Sequence, residues 1–323
     1  MIAFLFPGQA SQAVGMGKLW AEQSEVAASY FKRANKALGR DLESICFNGP
    51  EEQLTDTRNA QPAIYTVSCI AARLLFDAGL VPDYVAGHSI GEYAALYFSR
   101  SFDFETGLLL VRDRAEAMAD AAASNPGTMA AVIRMDTNEL EKACAELSAE
   151  GGVLSVAGYN SPQQTVISGS VDLIEKAVPY LKERGAKRVI PLPVSGAFHS
   201  ELMRPARERF AKTIERTPLH KPATLFISNH DAKPVTSAEP LSDRLPKQLT
   251  NPVRWTDTMA FLKRQGCQGY VESGPGSVLS GLLRKFDPDA ECATLSDLDS
   301  IRETADRFHG YLCGQRKDFA DLQ

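Results

Sequence analysis

The chain has 323 residues, 44% of them hydrophobic, and carries 35 Lys and Arg against 40 Asp and Glu for a net charge of −5. That is more than one average domain and enough for a sizeable core, while the charge balance excludes a global basic field that would recruit nucleic acid. No apolar run approaches the length of a bilayer span, and the six scattered cysteines (Cys46, Cys69, Cys144, Cys267, Cys292, Cys313) form no C-x-x-C pair, so reduced thiols of a cytoplasmic protein are expected and a zinc site is not.

In chain order, Met1-Ile2-Ala3-Phe4-Leu5-Phe6-Pro7 is apolar but short and lacks a basic leader, so it reads as a first strand (2–6) and not as a signal peptide. A Gly-rich turn and helices to about residue 78 follow. Then come a strand over 83–87, a helix over 90–99 and a longer helix over 104–122. The pattern changes at Ser124-Asn125-Pro126-Gly127. Beyond it lie strand Met129–Met135, helix Thr137–Ala149, strand Val153–Tyr159, turn Asn160-Ser161-Pro162, strand Thr165–Ser168, helix Val171–Arg184 and strand Arg188–Leu192. That is β-α-β-β-α-β, the ferredoxin-like order. Ser170 suits the N-cap and Gly185 the C′ position of its second helix, but Pro179 implies a kink or an earlier break. After Pro193 the longer spacing resumes, with helix 201–216, strand Thr224–Ser228, helix 254–265, strand Gly269–Glu272 and helix 277–286. The alternation argues an α/β fold. A small domain, 126–193, is inserted into a larger one made of 1–125 and 194–323, and a site is expected in the crevice between them.

Gly87-His88-Ser89-Ile90-Gly91 sits between the strand at 83–87 and the helix that follows. A serine between two glycines at a strand-to-helix turn is a nucleophile elbow. It raises the hydroxyl above a helix N-terminus, where unpaired N–H groups stabilise a developing oxyanion. The hydroxyl needs a base. Of five histidines, His88 adjoins the serine and points elsewhere, His220 and His230 flank a polar loop, and His309 lies in a terminal helix. His199, in Pro193-Val194-Ser195-Gly196-Ala197-Phe198-His199-Ser200, falls where the inserted unit returns to the main one. Arg114 interrupts the apolar stripe Leu110, Val111, Ala115, Met118. An inward arginine must find an anion, either an internal Asp or Glu or a substrate carboxylate held bidentately. Phe6-Pro7-Gly8-Gln9-Ala10-Ser11-Gln12 and Gly274-Pro275-Gly276 follow strands, at the sheet end where open α/β folds bind ligands. The Gln9 amide can complete an oxyanion pair with that of Ile90.

These stretches, with Gln61-Pro62-Ala63, Glu92-Tyr93, Arg114 and Met118, Tyr159-Asn160-Ser161-Pro162, Val166-Ile167-Ser168-Gly169, His199-Ser200, and Gln248 with Asn251-Pro252-Val253-Arg254-Trp255, span residues 4 to about 285. In this order the chain resembles the malonyl-CoA:acyl carrier protein transacylases, of the fatty-acid type or the free-standing type that serves polyketide synthases. The resemblance implies an α/β-hydrolase-like core with a ferredoxin-like insertion and a ping-pong transfer without a cofactor. Ser89 attacks malonyl-CoA, and His199 is the base, oriented by a backbone carbonyl near Gln248. The Gln9 and Ile90 amides hold the oxyanion, Arg114 binds the malonyl carboxylate, and Asn160 and Phe198 join the substrate-binding set. The phosphopantetheine thiol of an acyl carrier protein then collects the acyl group. The family is commonly monomeric. Its carrier proteins are acidic, which makes Lys182, Arg184, Lys187 and Arg188 a candidate docking surface.

Two departures stand out. Ala10 replaces a glycine common in the family, and Gly196-Ala197-Phe198 resembles the malonyl-selective variant of polyketide acyltransferases, where a phenylalanine narrows the pocket against a branched chain. The rival reading is an acyl hydrolase on the same scaffold, and Arg114 argues against it. A general esterase lacks its His-Gly-Gly oxyanion motif here, and a silent docking module has no use for an intact Ser89 and His199.

Overall fold

The structure, a computed structural model, describes residues 1–310. Its larger sheet has six strands in the order β10-β9-β1-β2-β7-β8. β1 (Ile2–Phe6), β2 (Tyr84–Gly87), β7 (Leu225–Ile227), β9 (Gly269–Glu272) and β10 (Glu291–Thr294) run parallel, and β8 (Pro234–Val235) pairs antiparallel with β7. The all-apolar sequence of β1 suits a strand buried on both faces. Ile2, Phe4 and Phe6 point into the largest core, shared with helix Thr57–Asp77, while Ala3 and Leu5 pack on the opposite face with Trp255, Met259 and Leu283. Strand alternation alone thus divides the large unit into two helical layers around one sheet.

The second sheet is antiparallel, in the order β4-β5-β3-β6, with β3 at Gly127–Ile133, β4 at Leu154–Ser161, β5 at Gln164–Ser170 and β6 at Arg188–Pro191. With helices Thr137–Ala149 and Val171–Glu183 this is the ferredoxin-like β-α-β-β-α-β arrangement expected from the sequence. It has its own core, which includes Val132, Leu140, Ile167, Ile174 and Leu181. β4 is its outer strand, and that edge is covered: the Tyr159 N–H donates to the Val253 carbonyl and the Val253 N–H to the Ala157 carbonyl, both at 2.9 Å. A strand edge capped this way cannot template aggregation, and the same two bonds tie the small sheet to the large unit.

Several details differ from the sequence reading. β8, helix Glu239–Gln248 and β10 were not anticipated. The Ser170 hydroxyl is not spent on capping; it takes the Val153 N–H at 3.2 Å. Helix Val171–Glu183 runs unbroken through Pro179, and Gly185 follows it with φ +100°. Cys46, Cys69, Cys144, Cys267 and Cys292 are free thiols, while Cys313 lies outside the described residues. Among the described residues no helix is long and apolar enough to cross a membrane.

Pro179 is exposed and removes one rung of its helix. Pro179→Ala restores an N–H toward the Glu175 carbonyl and is expected to stabilise the protein by about 1–3 kcal/mol. A rise in thermal midpoint checks this; an unchanged or lower midpoint contradicts it.

Candidate functional site

β2 ends at Gly87 and helix Gly91–Phe98 begins four residues later, so the chain reverses within Gly87–Gly91. Ser89 takes φ +52°, a left-handed conformation that costs a non-glycine residue about 1 kcal/mol or more. The flanking glycines are obligatory on steric grounds. A Cβ on Gly87 would lie 2.0 Å from the Gly91 carbonyl carbon, and one on Gly91 would lie 2.1 Å from the Phe6 carbonyl oxygen. The turn is pinned by the His88 N–H donating to the Phe6 carbonyl at 2.9 Å. Asn229 also grips it: its Oδ1 accepts from the Ser89 N–H at 2.7 Å, and its Nδ2 donates to the Gly87 carbonyl at 2.6 Å.

His199 reaches this turn from the segment that returns from the small sheet. It too is left-handed, with φ +59°, and is 6% exposed. Its Nε2 stands 2.8 Å from Ser89 Oγ, and its Nδ1 stands 2.7 Å from the Gln248 carbonyl. A carbonyl only accepts, so the proton sits on Nδ1, and Nε2 presents a lone pair to the serine hydroxyl. Burial, followed by the positive charge of Arg114, brings the imidazole down to about 3. His88 points away from the nucleophile: its Nε2 meets Asn160 Oδ1 at 2.9 Å, and its ring sits edge-on to Trp255.

Arg114, on helix Phe104–Ser124, is fully buried. The internal ion pair that was one reading of its inward position is not formed. Nη1 donates to Gln61 Oε1 at 2.6 Å, and Nη2 donates to Gln248 Oε1 at 2.9 Å and to Ser89 Oγ at 3.1 Å. Its Nε has no acceptor, and its guanidinium lies 5.7 Å from the centre of the Tyr93 ring. The nearest buried carboxyl is that of Glu92, reached through Gln248. Gln248 Nε2 donates both to Glu92 Oε2 and, at 3.0 Å, to the Ser89 carbonyl. Glu92 Oε1 accepts from the Asn229 N–H at 2.6 Å. Burial pushes the Glu92 carboxyl up to about 8, against the downward pull of these donors. Glu92 therefore orients both residues that frame the dyad. Because it accepts from the Gln248 NH2 group, the Gln248 carbonyl end must face Arg114.

The loop after β1 and the loop after β9 pack on each other, since a Cβ on Gly274 would fall 2.6 Å from Pro7 Cγ. Gln9 Nε2 donates to Thr57 Oγ1 at 3.3 Å, and Thr57 Oγ1 pairs with Ser195 Oγ at 3.2 Å, which links this loop to the segment carrying His199. Ala10 is accommodated at φ +79°, where glycine is favoured, and its N–H donates to Gln12 Oε1. Phe198 is buried next to His199 in the chain. His199 and Arg114 thus meet at the Ser89 hydroxyl oxygen, with Gln248 bonded to Arg114 and to the Ser89 carbonyl, whereas Asn160 reaches the site through His88. Asn229 went unnoticed in the sequence and Glu92 was seen only as part of a motif, although a carboxylate one turn after an elbow is a visible signal.

Glu92→Gln would place an NH2 group opposite an N–H donor at one of its two contacts. The cost of such an unmatched buried donor is about 1–3 kcal/mol. Denaturant unfolding should show that loss, together with a slower reaction of Ser89. A variant as stable and as reactive as the parent would remove Glu92 from this framework.

With this geometry in view, comparison with known proteins is specific. The acyl transferase domain family matches residues 3–298. The malonyl CoA-acyl carrier protein transacylase of Bacillus subtilis is 40% identical over 300 residues, covering 93% of this chain and 95% of the relative. The enzyme of that name from Escherichia coli is 38% identical, covering 91% and 96%. Among solved structures, the malonyl CoA-acyl carrier protein transacylase of Coxiella burnetii superposes with a TM-score of 0.92 at 35% identity, covering 95% of this chain and 97% of its own. A malonyl-transacylase solved in complex with its type II polyketide synthase acyl carrier protein gives 0.92 at 36% identity, covering 95% and 99%. The chain belongs to the acyl transferase domain family, in the branch of the malonyl-CoA:acyl carrier protein transacylases.

Proposed function

We infer that this protein moves a malonyl group from malonyl-CoA to the phosphopantetheine thiol of an acyl carrier protein through an ester on Ser89. One observation carries the reading: a serine hydroxyl lies within hydrogen-bond distance of both a neutral histidine and a buried arginine that lacks a carboxylate partner. Ser89 Oγ attacks the thioester carbonyl carbon while His199 Nε2 takes its proton. Among the described residues no acceptor takes the N–H of Gln9 or of Ile90, and these two amides are assigned to the developing oxyanion. As the C–S bond breaks, the proton passes from His199 to sulfur and CoA leaves as a thiol. The carrier thiol repeats the sequence in reverse. Both ends are thioesters, so the exchange is near thermoneutral, and the task of the protein is to favour thiol over water. Every step uses side chains and amides of this chain, so no cofactor is invoked.

Arg114 is assigned the free carboxylate of the malonyl group, which its planar fork can hold bidentately. Phe198 narrows the acyl pocket against a branched chain, and Asn160 steadies His88 beneath the first loop. The carboxylate clamp and the transacylase relatives favour transfer over the hydrolase reading. Free thiols on the described cysteines agree with a cytoplasmic setting.

For the carrier protein, the basic run expected at 182–188 is now divided. Arg184 is taken up by Glu146 at 3.1 Å and lies over the Tyr180 ring at 3.7 Å. Lys187 and Arg188 instead share a recess of about 190 Å³ with Arg134, Lys285, Gln163 and Gln164, at the meeting of the small sheet and helix Val278–Phe286. Among the described residues none of its four cations is paired with a carboxylate. An acidic carrier helix fits this recess.

Mass spectrometry after mixing with malonyl-CoA should find a malonyl ester on Ser89, and Arg114→Ala should lose most malonyl loading while sparing or raising loading from acetyl-CoA. Absence of the ester, or full malonyl loading by the variant, contradicts the assignment. Separately, Lys187→Glu with Arg188→Glu should raise KM for the carrier protein and leave KM for malonyl-CoA in place. Equal rises in both would assign the recess to CoA instead.

A further inference from the structure

Arg114 touches the nucleophile as well as facing the acyl pocket. Its Nη2 donates to Ser89 Oγ at 3.1 Å while His199 Nε2 stands 2.8 Å from the same oxygen. An oxygen that accepts from a guanidinium has lone-pair density drawn away from the electrophile. The same buried cation opposes the positive charge that His199 must acquire when it takes the proton. The protein does little to neutralise this cation. Its acceptors are the neutral amide oxygens of Gln61 and Gln248 together with Ser89 Oγ, its Nε is unpartnered, and the Glu92 carboxyl reaches it only through Gln248. In the free protein, therefore, the group that awaits a carboxylate also restrains the dyad beside it.

We propose that Arg114 is a latch on the Ser89–His199 pair that the free carboxylate of the acyl substrate releases. A carboxylate bound to the guanidinium draws Nη2 off Ser89 Oγ and cancels its field at His199. The malonyl thioester thereby switches on the nucleophile that attacks it, whereas a thioester without a second carboxyl meets a restrained one. This rests on the malonyl-transfer reading and deepens it: selection for a dicarboxylic acyl group lies in the rate of ester formation as well as in binding, and the empty site is protected from idle reaction with other thioesters.

The charged and titratable groups around His199 are Arg114 and His88, which both lower its basicity, with Tyr93 beneath Arg114 and Glu92 beyond Gln248. His88 is itself kept neutral by burial. Of these, Arg114 is the one a substrate carboxylate meets, so malonyl binding raises the basicity of His199 and acetyl binding does not. The base acts only when neutral. A raised basicity means that malonyl loading declines on the acid side, where acetyl loading stays level.

The test uses the whole protein with saturating acetyl-CoA, and formate as the free carboxylate. Acetyl and formate together supply the malonyl group cut at one carbon–carbon bond. Sodium formate, compared with sodium chloride at equal ionic strength, should speed acetyl ester formation on Ser89 by roughly tenfold, the change expected for about one pKa unit of added basicity with Ser89 released. A flat or falling rate overturns the latch. Independently, malonyl loading at saturation should begin to fall at a higher pH on the acid side than acetyl loading does, because the bound carboxylate offsets the Arg114 charge that lowers the basicity of His199 while the burial of the imidazole remains. Superimposable profiles overturn it as well. Either failure leaves malonyl transfer standing if the malonyl ester still forms on Ser89, and absence of that ester sinks the parent reading instead.

Discussion

Gly91 has no room for a methyl group. Its α-carbon is pressed so closely against the Phe6 carbonyl that the loop after β1 and the turn after β2 are in backbone contact. Gly87 and Gly274 repeat the condition, one against Gly91 and the other against Pro7. Three strand ends are thus drawn together, the first two backbone against backbone and the third, at Gly274, against the Pro7 ring and the Ser68 hydroxyl. The left-handed Ser89 is held in a conformation it would not choose by itself, because its neighbours leave no other path. The exposed hydroxyl and the two unpaired amides at Gln9 and Ile90 follow from that single close approach.

Around this turn the structure holds two ionisable groups in a place where isolated charge is costly. Glu92 and Arg114 both lie at the bottom of the site and do not touch. Gln248 stands between them, its NH2 group on the carboxyl and its carbonyl end on the guanidinium. A direct pair would satisfy both groups and leave Arg114 with no reason to bind a substrate. An amide spacer carries only part of the neutralisation, so the arginine is fixed in place and still short of an anion. The backbone carbonyl of the same glutamine orients His199. One residue thus sets the geometry of the base and the availability of the cation.

Much of this was legible in the chain, for identifiable reasons. β1 was readable because all five residues are apolar, the elbow because its glycines flank a serine between a strand and a helix, and Arg114 because it breaks an apolar stripe. Helix Glu239–Gln248 was not readable. Its sequence, Glu-Pro-Leu-Ser-Asp-Arg-Leu-Pro-Lys-Gln, has two prolines and four charged residues and forms a helix because Leu241 and Leu245 are buried against the large core. Asn229 was hidden for another reason: its partners lie 140 residues and more away in the chain, and no local pattern marks a carboxamide that will reach so far. Pro179 suggested a break that did not occur, since tertiary packing of Leu173, Ile174, Ala177 and Leu181 holds the helix across the missing rung.

The small sheet bears on the chemistry through its connections. His199 lies just after the chain leaves β6, and Gln248 lies just before Val253, whose backbone zips onto the edge strand β4. The base and the carbonyl that orients it are therefore both anchored near the seam between the two sheets. A rigid-body shift of the small sheet would move both ends of the His199–Gln248 bond, while Ser89, on the central strands of the large sheet, stayed in place. The 2.8 Å contact between hydroxyl and imidazole is thus a property of the seam as much as of the elbow. The basic recess at Arg134, Lys187, Arg188 and Lys285 lies where the small sheet meets helix Val278–Phe286, which belongs to the large unit.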